Sequence, residues 1–202
     1  YISTMGKGEE TRAMILDAAL AQASEAGFES LTIGTLASKT GLSKSGLFAH
    51  FGSREDLQIA TLDHAAQRFI NTVMTPAMQV ERGLPRVRAI FERWLTWTQC
   101  NELGFGCPLH AAAVEFDDRP GAVRDHIVQH FERLQGGMTR ALSLAVEAGH
   151  LRPDLDLRQT VFELLGIIFS YYHSARLLQQ PDASIRAQTA FNRLLTDAAP
   201  AA

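Results

Sequence analysis

The chain has 202 residues, of which 46% are hydrophobic and 20% charged, and a formal net charge of −3. That balance is ordinary globular material, and the length suits one large domain or two small ones. No apolar run approaches the roughly eighteen residues of a membrane-crossing helix. Two cysteines cannot staple an extracellular fold, and no basic-then-apolar leader is visible, so the expectation is a cytoplasmic protein with no membrane role.

Apolar residues recur every three to four positions along the chain and alternating strand patterns are nearly absent, which makes the expected fold all-α, with about nine helices. Thr11 is the expected cap of a first helix that turns Ile15, Ala18, Ala19 and Ala23 inward and stops at Gly27. Thr32 caps a short second helix with Leu36 and Ala37 inward, ended by Gly41. Ser43 caps a third, Lys44 to Phe51, and Ser53 a fourth with Glu55 and Asp56 in its first turn.

Longer helices follow Pro76. Pro85 sits in a first turn, and Val87, Ile90, Phe91, Trp94, Leu95 and Thr98 trace one face. Asn101 to Cys107 reads as a loop, Pro108 to Phe116 as a short helix and Asp117 to Gly121 as a turn. Ala122 to Ala148 is a long helix with Ile127, Phe131, Leu134, Met138, Leu142 and Ala145 on one stripe, and Gly136-Gly137 is a place for a bend. Asp156 caps Leu157 to Gln179, and Ala183 to Asp197 closes the series. The penultimate helix is apolar all round from Val161 to Tyr172, so it needs burial on every side. Two arrangements satisfy that: the centre of the monomer's core, or a four-helix seam in which the last two helices pair with those of a second copy.

The net charge hides an asymmetry. From Ser30 through Arg54 there is no acidic residue, while Lys39, Lys44 and Arg54 contribute three positive charges. An acid-free window within an acidic protein suits a surface that meets a polyanion. The same window holds two short helices joined by a Gly-containing turn, the outline of a helix-turn-helix. Ala37 is small where the helices cross, Gly41 permits a left-handed turn, and Leu36, Leu42, Leu47 and Phe51 form the wedge beneath. The outer side of the second helix then carries Lys44, Ser45, Phe48, Ala49 and His50, placed for a major groove.

Leu31-Thr32-Ile33, Leu36-Ala37, Gly41-Leu42-Ser43, Leu47-Phe48-Ala49-His50-Phe51 and Ser53-Arg54-Glu55-Asp56-Leu57 resemble the TetR family of bacterial repressors. The likeness covers residues 11–60 and includes Ile15, Ala18, Ala19 and the Gly27-Phe28 turn. It implies an N-terminal three-helix helix-turn-helix DNA-binding domain over 9–54. A larger C-terminal helical domain for ligand binding and dimerisation would cover 55–199. It also implies a homodimer through the last two helices, bound to a palindromic double-stranded DNA operator and released by a small-molecule effector. Carried over by position, Thr32 touches phosphate and Ser43, Lys44 and Ser45 stand at the groove entrance, with Lys44 set for guanine. His50 meets a phosphate or base edge, and Arg54 clamps phosphate. Phe48 stands where the family commonly has Tyr, so a hydroxyl is missing while the ring can still pack on sugar or a thymine methyl.

The remaining chemistry is sparse. Cys100, Cys107 and His110 fall short of the four ligands of a structural zinc site, so no metal or other cofactor is expected. His126 and His130 share a helix face at i, i+4, a spacing that can chelate, but beside Asp125 and Glu132 they read as a solvated face. No nucleophile–base–acid set or phosphate-cradling glycine loop appears, so an enzyme is not expected. Effector candidates are Trp94, Trp97, Phe105, Cys107, His110, Phe131, Phe169, Tyr172 and His173, whose aromatic character and few charges point to a neutral or amphipathic ligand. The alternative is a thiol-based redox regulator acting through Cys107. A helical carrier or enzyme that kept the fold without binding DNA is a third reading, opposed by Lys44, His50 and Arg54 in the acid-free window.

Overall fold

The computed structural model describes residues 6–99 and 106–200. Among them are nine helices and no strand, as the periodicity requires. They are α1 (Lys7–Ala26), α2 (Ile33–Thr40), α3 (Lys44–Phe51), α4 (Arg54–Phe69), α5 (Leu84–Gln99), α6 (Pro108–Phe116), α7 (Ala122–Glu147), α8 (Leu157–Tyr172) and α9 (Ala183–Asp197). A single 3-10 turn, Phe28–Ser30, lies between α1 and α2.

Most termini follow the sequence. The Thr32, Ser43, Ser53 and Asp156 side chains each accept the backbone N–H three residues on, at 3.0, 3.1, 3.0 and 3.0 Å. The first helix is the exception. It begins at Lys7, where the Glu9 carboxylate accepts the Gly6 N–H at 3.0 Å, so Thr11 lies inside it and is not its N-cap. Helix α4 is also longer than Phe69, continuing through a π turn, Ile70–Met74, into Thr75–Met78. Pro76 has no N–H for the carbonyl four residues back, and the widened turn, with the Thr75 N–H on the Ile70 carbonyl, carries the helix past it. Helix α8 gives way to a second π turn, His173–Leu177, short of the expected Gln179. Helix α7 runs unbroken through Gly136-Gly137.

The chain divides into two compact units. The first holds the described residues through Arg68 together with Cys107–Gln129. Its core is built from Ile15, Leu20, Phe28, Leu31, Leu36, Leu47 and Leu57, all buried. The second takes the described residues of 69–106 and 130–202. Here all six residues traced along α5 are buried, with Met138, Leu142, Leu164, Ile168 and Phe191. The Phe91 and Phe191 rings stack at 3.8 Å between centroids and 9° between planes. Phe69 meets Trp94 and Trp97 edge-on at 5.0 and 5.9 Å.

Candidate nucleic-acid interface and effector residues

The head of the first unit is assembled from short-range rules. Gly41 ends α2 at φ +71°, a left-handed position closed by its N–H on the Ala37 carbonyl at 3.0 Å. Leu47 and Phe51 turn one face of α3 into the core, with the Arg12 guanidinium 5.1 Å over the Phe51 ring. The opposite face therefore looks outward: Lys44, Ser45, Phe48 and Ala49 are exposed, and His50 is half-buried. Ser43 and Ser45 share a hydroxyl contact of 3.1 Å at the start of α3. Thr32 caps α2, so its substitution tests the head directly. Thr32→Ala is expected to cost about 1 kcal/mol. A thermal melt should fall by roughly 2–4 °C.

The three cations of the acid-free window fare differently. Lys39 reaches Glu25 at 3.6 Å, an exposed pair. Arg54 is drawn inward: its Nε donates to the Leu31 carbonyl at 2.9 Å, and it meets the Glu29 carboxylate at 3.0 Å and the Glu29 carbonyl. That guanidinium braces the turn before α2, leaving less of it open to a phosphate. Lys44 alone of the three has no ionic partner among the described residues. Its stem runs beside Gly34 of α2, where an added Cβ would lie 3.8 Å from Cε.

The effector candidates fall in both units. In the second, Trp94 and Trp97 are buried, Phe131 and Phe169 meet edge-on at 6.4 Å, and Tyr172 and His173 at 5.9 Å. A side chain at Gly106 would collide with the Tyr172 phenol. The Trp97 indole N–H is buried with no acceptor among the described residues. In the first unit, Cys107 is buried at the start of α6 and His110 is half-buried in its first turn. Phe105 and Cys100 lie outside the described residues. The face around His126 is solvated at Asp125 and Glu132, which are exposed, while His126 itself is mostly covered, its Nε2 2.7 Å from Asp63 Oδ1.

Residues with no sequence signal complete the head. Glu115, at the end of α6, accepts the N–H groups of Phe28 and Glu29 at 2.8 and 2.7 Å. Gln58 of α4 donates to the Phe28 carbonyl and Gln22 of α1 to the Ser30 carbonyl, each at 2.9 Å. All three converge on the turn that precedes α2.

Residues 15–61 match the family of bacterial regulatory proteins named for tetR, and residues 83–191 match the tetracyclin repressor-like C-terminal domain. The second match alone spans more than half of the chain. The chain belongs to the TetR family. Its HTH-type relative SrpR of Pseudomonas putida is 25% identical over 165 residues, covering 82% of this chain and 75% of that one. A TetR transcriptional regulator from Chloroflexus aurantiacus superposes with a TM-score of 0.79 at 23% identity, over 95% of this chain and 96% of its own. AibR, solved with isovaleryl coenzyme A and operator DNA, superposes with a TM-score of 0.67 at 21% identity, over 88% and 97%. The helix-turn-helix and the C-terminal helices thus belong to a TetR-family transcriptional regulator. Among its described residues, no helix is long and apolar enough to cross a membrane.

Proposed function

We propose that this TetR-family regulator is a ligand-responsive repressor that binds a palindromic operator as a homodimer and is released by a small neutral or amphipathic effector. In this reading residues 9–54 hold DNA, residues 55–199 bind effector and dimerise, and the protein acts in the cytoplasm without catalysis. The observation that carries it is the outward face of α3, where Lys44 is exposed with no ionic partner among the described residues. Beside it Phe48 is 51% exposed. An apolar ring of that size is costly in water and fits a groove floor, where a thymine methyl can cover it. Thr32, Ser43, Ser45 and His50 supply the polar contacts around it, and Arg54 acts chiefly by holding the turn.

The effector reading is supported by the aromatic pairs of the second unit. The Trp97 N–H, buried without an acceptor among the described residues, favours a ligand with a carbonyl or other acceptor on an apolar body. AibR, a neighbour in fold, was solved with isovaleryl coenzyme A and operator DNA, which supports a reading with both a small ligand and an operator. The thiol alternative has no observation in its favour: Cys107 is only 8% exposed.

The test is operator binding across a salt series, with fragments of the DNA upstream of the protein's own gene as probes. A saturable shift on one fragment, weakening steeply with salt, is expected. Lys44→Ala, by removing a guanine contact, should weaken that shift by roughly 1–3 kcal/mol, about fivefold to a hundredfold. Equal binding of wild type and variant, at every salt concentration, removes Lys44 from the interface.

A further inference from the structure

The turn Phe28–Ser30 is the seat on which the helix-turn-helix rests, because Leu31 and the Thr32 cap follow it directly. Its carbonyls are held from within the head, Ser30 by Gln22 of α1, and Phe28 and Glu29 by Gln58 and Arg54 of α4. Its leading N–H groups are held from elsewhere. Both oxygens of Glu115 are engaged, Oε2 by the Phe28 N–H at 2.8 Å and Oε1 by the Glu29 N–H at 2.7 Å. A carboxylate on two backbone donors is a charge-assisted pair, stronger than neutral hydrogen bonds. The approach needs the glycine before it: Gly27 stands at φ +83°, and a Cβ there would lie 3.1 and 3.2 Å from the two carboxylate oxygens. Just beyond α6, Arg119 adds a contact of 3.5 Å to the Glu29 carboxylate.

Glu115 lies within residues 83–191, the stretch matched to the C-terminal domain, yet it packs in the same compact unit as the head. Its helix starts at Cys107 and His110, two effector candidates, and is nine residues long. So short a helix, roughly 13 Å, moves as a rigid rod. We infer that Glu115 is the positioning residue through which α6 sets the placement of the helix-turn-helix, and so its operator affinity. This rests on the reading of the chain as an effector-controlled DNA-binding regulator. A shift of α6 at its Cys107 end is delivered by Glu115 to the Phe28 and Glu29 amides, and from there to α2 through Thr32. Turn and DNA-binding surface then change together.

The test compares wild type, Glu115→Ala and the near-isosteric Glu115→Gln in the full chain. Three measurements are made on each: thermal melting, amide exchange at residues 28 and 29, and affinity for an operator fragment selected with wild type. Glu115→Ala is expected to speed exchange of those two amides at least tenfold and to change operator affinity at least fivefold. Glu115→Gln keeps one acceptor and should fall between. A merely structural cap would lower the melting temperature and leave the affinity of the folded protein alone. Operator affinity within twofold of wild type in both variants, with the amides deprotected, therefore overturns the inference; so does unchanged exchange. If wild type itself selects no operator, the regulator reading is what fails. Exchange at residues 28 and 29 still reports whether the Glu115 contact forms.

Discussion

Replacing Phe162 and Ile185 together by Glu is expected to convert the proposed homodimer to a monomer and to abolish operator binding. Both side chains lie on the two helices of the proposed seam, and both are bare: Phe162 is 73% exposed and Ile185 69%. Elsewhere α8 and α9 bury their apolar residues, Val161, Leu164, Leu165 and Ile168 on one and Ala187, Phe191 and Leu195 on the other. Gly166 and Ser170 keep the outward side of α8 low, so a second helix can lie close. Covering a large apolar side chain is worth about 1.5–3 kcal/mol, and two-fold symmetry counts each residue twice. A carboxylate in the same place must instead be stripped of water. The dimer dissociation constant should rise by at least about a hundredfold, near 3 kcal/mol. Light scattering and gel shift together check this. A variant that remains dimeric at micromolar concentration places the interface elsewhere, and one that is monomeric yet holds the full operator as tightly as wild type removes the need for two heads.

The second large effect is on stability. Phe191 is fully buried and stacked flat on Phe91, itself fully buried. The Arg88 guanidinium lies 5.9 Å from the Phe191 ring and bonds Asn192 at 2.9 Å, so the ring is boxed in by groups that cannot collapse into its space. Phe191→Ala should therefore cost about 3–5 kcal/mol. For a chain of this size that is a fall of roughly 10 °C in melting temperature. Phe162→Ala is the matched control. The same side chain is removed from a bare site on the neighbouring helix, and the stability of the isolated protomer should change by less than about 0.5 kcal/mol. Equal losses in the two variants at a concentration where the protein is monomeric contradict the burial assigned to them.

The Glu115 contact and the proposed seam on α8 and α9 would serve the same release. A repressor held as a dimer can be released only if its effector favours an arrangement of heads that the operator does not accept. In the proposed reading a seam on α8 and α9 holds two copies together, and Glu115 ties the end of α6 to the turn under α2. Gly27 and Glu115 are then a matched pair: Gly27→Ala strains a positive φ and crowds the carboxylate in one substitution.

What the sequence determined by itself was local. Helix positions followed from periodicity, and the caps at Thr32, Ser43, Ser53 and Asp156 from side chains that reach only three residues along. The helix-turn-helix was legible for the same reason, since Ala37, Gly41, Leu47 and Phe51 do their work within fifteen positions of one another. Thr11 failed because Glu9, equally local, captured the helix start first. Only the tertiary structure decided which charges were already engaged. Lys44 and Arg54 look alike in the acid-free window, but Arg54 folds back on Glu29 and Leu31 and Lys44 does not. Nor did the pattern distinguish Phe162 from Phe191, two apolar residues on amphipathic or wholly apolar helices, one of them bare and the other sealed. Glu115 was beyond reach altogether, its two hydrogen bonds spanning 87 and 86 residues. A contact that closes so long a loop leaves no period or spacing in the sequence, because it depends on which helix faces come to cover one another.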